Sequence, residues 1–172
     1  MDIKQMTHTV EQATDRKAAV IEMGTALLAE LAPAFTFDTE ATVRRAGVCK
    51  YRLDGGGTVA LSVHYIKHAT AADVVDTLLH EVAHAIAGHA AGHGPEWKRV
   101  ARLLGCSANR CADLPAAMRG GRYEARCSAE CCDHALGYRQ RLSDSMRHRA
   151  MCQHCKAAVE WIDHGSAWMD SL

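Results

Sequence analysis

At 172 residues the chain has room for one ordinary domain, or for a domain with a small module beside it, and not for a multidomain machine. Its 20 basic and 20 acidic side chains cancel, so no overall field draws it to nucleic acid or an acidic membrane, and any such preference has to be local. The opening MDIKQMTHTV lacks the apolar stretch of a signal peptide and no later run approaches the roughly 18–20 apolar residues that span a bilayer, which predicts a soluble, cytoplasmic protein without membrane partners.

From about Thr14 to Leu31, apolar residues at Val20, Ile21, Leu27, Leu28 and Leu31 recur at helical spacing, and Pro33 closes the run. Two segments rich in β-branched and aromatic residues follow, ATVRRAGVCKYRL and TVALSVHYI, separated by a DGGG turn; they read as antiparallel strands. Thr70 with Asp73 forms a capping box that opens a second helix, with Val75, Leu78, Leu79, Val82 and Ile86 on its apolar side. Gly88, Gly92 and Gly94 loosen the chain. Pro95 then starts a third helix, whose buried stripe is Trp97, Val100, Ala101 and Leu104 and which Gly105 ends.

The second helix carries His80-Glu81-Val82-Ala83-His84, an HExxH sequence. Positions four apart share a helix face, so both imidazoles can reach one Zn²⁺ while Glu81 lies beside it as a general base. A catalytic zinc needs a third protein ligand and an open position. The glycine and histidine of the HExxHxxGxxH pattern are absent, because Ala87 and Ala90 stand there. Glu96 is one candidate; His89 and His93 are the others. On a continued helix His89 would lie about 140° around the axis from His84, and His93 roughly 13 Å along it, so either binds only if the chain turns back. The glycines of AGHAAGHG supply that turn, and the longer return to His93 closes more easily than the single step to His89. The spacing therefore favours His80, His84 and His93, with His89 facing solvent or standing behind a ligand. Tyr65 and His64, near the end of a predicted strand, are candidates to assist an oxyanion, although ordinary strand residues are the plainer reading.

The stretch LLHEVAHA followed by GHGPEWK resembles the SprT-like metallopeptidases, the family that includes the eukaryotic protease Spartan, and the preceding GVCKYR and VALSVHYI resemble that family's paired strands. The resemblance implies an α+β, zincin-like minimal metallopeptidase domain, here residues 1–115. It places zinc ligands at His80, His84 and His93 and the general base at Glu81.

Five of the eight cysteines fall in the last third. In a reducing compartment thiols serve metals or cores rather than disulfides. Cys152 and Cys155 form a C-x2-C pair about twenty residues after Cys131, which is the plan of a zinc ribbon with a closed structural site. The first knuckle is C-x3-C with Cys131 or C-x4-C with Cys132. The shorter loop favours Cys127, Cys131, Cys152 and Cys155, with Cys132 as the alternative to Cys131 and His134 a third choice. A ribbon-like module over 122–165, joined by a linker at 116–121, would require its metal to fold. Many SprT-like proteins carry a ribbon in this place.

Between Arg119 and Glu160 there are eight Lys or Arg against five acids. Arg139, Arg141, Arg147 and Arg149 suit sequence-independent phosphate contacts. The resemblance implies the partner: Spartan-like enzymes act on proteins attached to DNA, and DNA, single-stranded or disrupted, switches on their proteolysis. Two rival readings are a non-catalytic DNA-binding or scaffold protein with a structural zinc site, against which the intact Glu81 counts, and a peptidase unrelated to DNA.

Overall fold

The computed structural model describes residues 2–109, 114, 122–129, 132, 135–139 and 141–165. The chain divides into two compact units, Met1–Pro115 and Ala116–Leu172. The proposed linker at 116–121 lies outside the described residues, as do Cys131 and His134.

The first unit opens with α1 (Ile3–Gln12), capped by the Asp2 carboxylate on the Lys4 N–H, with Met6 and Val10 buried one turn apart. Short and mostly polar, it is absent from the sequence expectation. α2 (Arg16–Leu31) is capped by Asp15 on the Ala18 N–H and buries Val20, Met23, Leu27 and Leu28; of the stripe that its spacing predicts, Ile21 is only half-buried and Leu31 is exposed. At Gly24 an added Cβ would stand 2.5 Å from the Phe37 ring, so glycine lets this helix lie close on the following strand.

That strand, β1 (Phe35–Glu40), is also missing from the sequence reading. β2 (Gly47–Tyr51) and β3 (Gly57–Ser62) are the expected antiparallel pair, while β1 joins β3 in parallel, Phe35 opposite Gly57 through Glu40 opposite Ser62, to give the order β1-β3-β2. The predicted second strand is too long. Ser62 accepts the Tyr65 N–H, and that cap turns Val63–His68 into a short helix, α3.

α4 (Ala71–Ala87) begins at the Thr70 cap, as the capping box predicts, and packs against β2, β3, α1 and the last helix of the unit, α5 (Pro95–Leu103). Val74, Val75, Leu78, Leu79, Val82 and Ala83 are buried on α4; full burial of a side chain such as Leu78 contributes about 1.5–3 kcal/mol. This central packing seats α4 against β2 and β3.

In the second unit β4 (Tyr123–Cys127) is the middle strand of an antiparallel sheet ordered β5-β4-β6, with β5 at Ala135–Arg139 and β6 at Val159–Asp163. A short helix, α6 (Asp144–Arg149), is tied to β6 by the Trp161 indole N–H on the Met146 carbonyl at 3.1 Å. The protein is thus a mixed α+β chain with two small sheets. Among the described residues no helix is long and apolar enough to cross a membrane.

Candidate metal centre

α4 carries His80 and His84 on one face, and its end explains how a third histidine joins them. Gly88, at φ 82°, takes the C-cap position and donates its N–H to the His84 carbonyl. A single 3-10 turn over His89–Ala91 follows, and Gly92, at φ 47° and ψ −128°, reverses the chain so that His93 comes back to the helix. Only glycine adopts the Gly92 conformation without strain. His93 Nε2 lies 3.1 Å from His80 Nε2 and 3.1 Å from His84 Nε2.

That spacing fits a metal. Three nitrogens at about 2.0–2.1 Å from a tetrahedral zinc would be about 3.3 Å apart. Burial, with the neighbouring imidazoles adding to it, holds His80 and His84 down to about 4, which leaves both rings neutral and their lone pairs free near neutral pH. Trp97, fully buried at the start of α5, lies beneath all three rings, with centroids at 4.6 Å from His80, 5.1 Å from His84 and 4.6 Å from His93. Pro95 at the first helical position aims that indole.

His89 is exposed, its ring edge-on to Tyr51 at 5.1 Å, and does not join the three. Glu96 is likewise elsewhere: it is exposed and paired with Arg99 at 2.7 Å.

Glu81 is 8 % exposed and sits against β2. Ser62 N–H bonds the Ala46 carbonyl and Arg52 N–H bonds the Gly56 carbonyl, so the even-numbered residues of β2 face β3 and Gly47, Cys49 and Tyr51 turn their backbone groups outward. The outward N–H of Cys49 donates to the Glu81 carboxylate. Burial pushes that carboxyl up to about 7, against the opposing pull of Arg45 and of the Cys49 bond. Gly47 permits the approach: a Cβ there would stand 2.9 Å from Glu81 Cγ and 3.2 Å from Thr77 Cγ2. Arg45, Gly47, Asp76, Thr77, His80 and Glu81 are among the residues lining a cleft of about 690 Å³.

Tyr65 lines the same cleft but is 1 % exposed, with its hydroxyl 3.2 Å from Thr77 Oγ1 and donating to the Asp73 carbonyl at 3.4 Å. It is a buried support of α4, and both it and His64 lie in α3 rather than on the strand where the sequence reading put them. Sequence reasoning missed the contributions of Tyr51, Cys49, Gly47 and Asp76. Asp76 alone carried a signal, because it precedes His80 by four residues on one helical face.

In the second unit the four thiols that meet are Cys127, Cys132, Cys152 and Cys155, each offering a sulfur within 4.8 Å of the others. Cys127 and Cys155 sulfurs are 3.3 Å apart and those of Cys152 and Cys132 are 3.9 Å apart. Tetrahedral zinc with four sulfurs at about 2.3 Å has edges of about 3.8 Å, so this donor set also fits. The place for which spacing favours Cys131 is filled, among the described residues, by Cys132, the alternative. The Ala157 N–H, and then the Cys127 thiol, hold the Cys155 thiol well below the usual range, towards the thiolate that a metal requires.

The arginines singled out for phosphate contact have mixed settings. Arg147 lies over the Tyr123 ring at 5.3 Å, with Arg122 over the same ring at 5.0 Å, and Arg139 donates to the Tyr138 carbonyl at 2.8 Å. Arg141 and Arg149 are exposed.

The sequence model of the SprT-like family matches residues 4–119, which takes in the first unit from the second residue of α1 onward and all three histidines. The chain belongs to the SprT-like family. Members of this family generally carry a metallopeptidase-type domain, and the three histidines are a group able to hold its metal. No curated protein matches the chain. The family match ends before β4, so the cysteine site rests on its own geometry.

Proposed function

We propose that this SprT-like chain is a zinc-dependent endopeptidase of the Spartan type that cleaves DNA-bound or DNA-crosslinked proteins. The observation that carries the peptidase reading is the meeting of three imidazole nitrogens beside a buried carboxylate, along a cleft edged by β2. The pairing of the histidine helix with a strand whose backbone groups face outward supports a zincin-like reading of the first unit. His80, His84 and His93 would hold a zinc ion, which would supply Lewis acidity and make a water molecule more acidic.

The chain's own residues supply the rest. Glu81, raised towards neutrality by burial, is suited to take a proton from the attacking water and to return it to the leaving nitrogen. Cys49 N–H keeps the carboxylate aimed along the strand, and Tyr51 and Trp97 keep the metal helix and its histidines in place. A purely structural metal site has no use for such a base, which weighs against the scaffold reading.

The DNA half of the proposal rests on the second unit and on the family. Arg141 and Arg149 are free to meet phosphates, and Arg147 can do so from its stacked position on Tyr123. The test is cleavage of a DNA-binding substrate protein by the purified chain, with and without single-stranded DNA, beside a Glu81→Gln variant. Cleavage that requires both Glu81 and DNA is the expected result. Equal cleavage by both proteins overturns the role of Glu81, and cleavage indifferent to DNA favours a peptidase unrelated to DNA.

A further inference from the structure

The chain leaving α5 folds back across α4 one turn before the metal ligands. The Asp76 carboxylate accepts the Ser107 backbone N–H at 2.6 Å and the Ser107 hydroxyl at 2.7 Å, one on each oxygen. The Asn109 N–H reaches the Ser107 hydroxyl oxygen at 3.4 Å. Between them Ala108 holds φ at 55°, in the left-handed region that a Cβ disfavours. Such an outlier persists only where its surroundings over-determine it. Here they do, because Ser107 is fixed by Asp76 on one side and Asn109 lines the cleft with His80 on the other, its backbone towards the imidazole.

His80 Nε2 faces His93, so the ring nitrogen left for Asn109 is Nδ1. A histidine that ligates through one nitrogen is oriented by the partner of the other. Asp76 itself is no ligand: both its oxygens are taken by Ser107, and it stands outside the group of three that could hold an ion. Being four residues before His80, it shares that residue's helical face, and the run it anchors therefore arrives beside the imidazole.

We infer that Asp76, Ser107 and the left-handed Ala108 form a latch that positions His80, by presenting the Asn109 backbone to its Nδ1 and so aiming Nε2 at the meeting point with His84 and His93. The inference rests on the reading of the three histidines as a zinc site. Asp76 is a positioning residue, and no reacting group need touch it.

The test measures zinc affinity rather than turnover. The full chain loaded with zinc is titrated with a chromophoric chelator; the step missing from a His93→Ala protein belongs to the histidine site. Asp76→Ala should weaken that step about 10–100-fold, and Asp76→Asn, which keeps one acceptor for Ser107, should fall between it and the parent. Ala108→Pro, which sets φ near −65° and swings Asn109 away without touching Asp76, should weaken it about tenfold or more. In each variant the thiol-site step should stay where it is. Melting of the metal-free proteins is followed in parallel, because a mere staple between loop and helix would lower the melting temperature and leave the chelator titration unchanged. That outcome overturns the latch, as does an Ala108→Pro protein with parental affinity. A parent chain that binds a single zinc, at its thiols, overturns the histidine site itself and the latch with it.

Discussion

The Tyr51 hydroxyl donates to the His84 carbonyl at 2.8 Å, joining the outward side of β2 to the histidine-bearing turn of α4. The same carbonyl receives the Gly88 N–H at 2.9 Å where the chain turns towards His93. One backbone oxygen thus ties together the strand along the cleft, a histidine on the helix and the loop that brings the third histidine back.

Tyr51→Phe keeps the ring contacts to Phe35 and His89 and removes only the hydroxyl. The expected cost is about 0.5–1.5 kcal/mol of unfolding free energy, the usual net value of one hydrogen bond. Urea unfolding of the metal-free parent and variant measures it directly. Equal stabilities would show that the bond adds nothing to the packing of the ring.

Gly47 answers a different requirement, since Glu81 and Thr77 occupy the space of its missing side chain. Gly47→Ala should drive the Glu81 carboxylate off its position against β2. A displacement of this size costs between about ten- and a hundredfold in kcat. Zinc content should be unchanged, because the atoms nearest the new methyl group belong to Glu81 and Thr77 and not to the three histidines. Turnover and metal analysis on the same sample separate the two effects, and loss of zinc in step with activity would contradict the assignment.

The cleft wall that carries Gly47 is pinned from below by Glu40, which accepts two bonds from Arg45, at 2.6 and 2.9 Å, and one from Lys50 at 3.1 Å. The Arg45 bond, with Lys50 adding to it and burial opposing, holds the Glu40 carboxyl below its ordinary value of 4.5. A carboxylate lowered in the folded state contributes stability that is present above its unfolded pKa and is lost as pH falls through the folded one. The cations are half exposed, so the contribution is at most about 1 kcal/mol. Glu40→Gln should therefore be the less stable protein at pH 7, and the gap should close once pH drops well below 4.5. Denaturation of metal-free samples at both pH values tests this; a gap that persists in acid would mean that the pair's charge is not its source.

What the sequence made legible was local. HExxH puts two histidines on one helix face by periodicity, the glycines at positions 88 and 92 announce a reversal, and Pro95 and Trp97 mark the next helix, so the histidine group could be assembled without a structure. Contacts distant in sequence were not legible. β1 finds its parallel partner across an intervening strand, and its FTFDTE sequence has no turn signal to pair it. Ser62 converts an apparent strand into α3 through one cap, where β-branched and aromatic residues alone argued for extension. Tyr51, Cys49 and Asp76 matter through partners 31 to 33 residues away, separations at which no periodicity speaks.

The choice between adjacent thiols shows the same limit. The shorter C-x3-C loop argued for Cys131, yet β4 carries an irregularity between Ala125 and Arg126, and Cys132 is the thiol that stands 3.9 Å from Cys152, with both buried. Zinc held by these four thiols would stabilise so small a unit strongly, since structural zinc contributes about 10–16 kcal/mol in small zinc-finger peptides. Cys132→Ser should accordingly lower the zinc content of the full chain from two ions to one and abolish the fixed environment of Trp161, whose indole is held on the Met146 carbonyl. Cys131→Ser should retain both metals. Metal analysis with near-ultraviolet circular dichroism reads the two consequences together. Loss of the second zinc from Cys131→Ser alone would reverse the assignment and show that the shorter knuckle, favoured by spacing, is the one that binds.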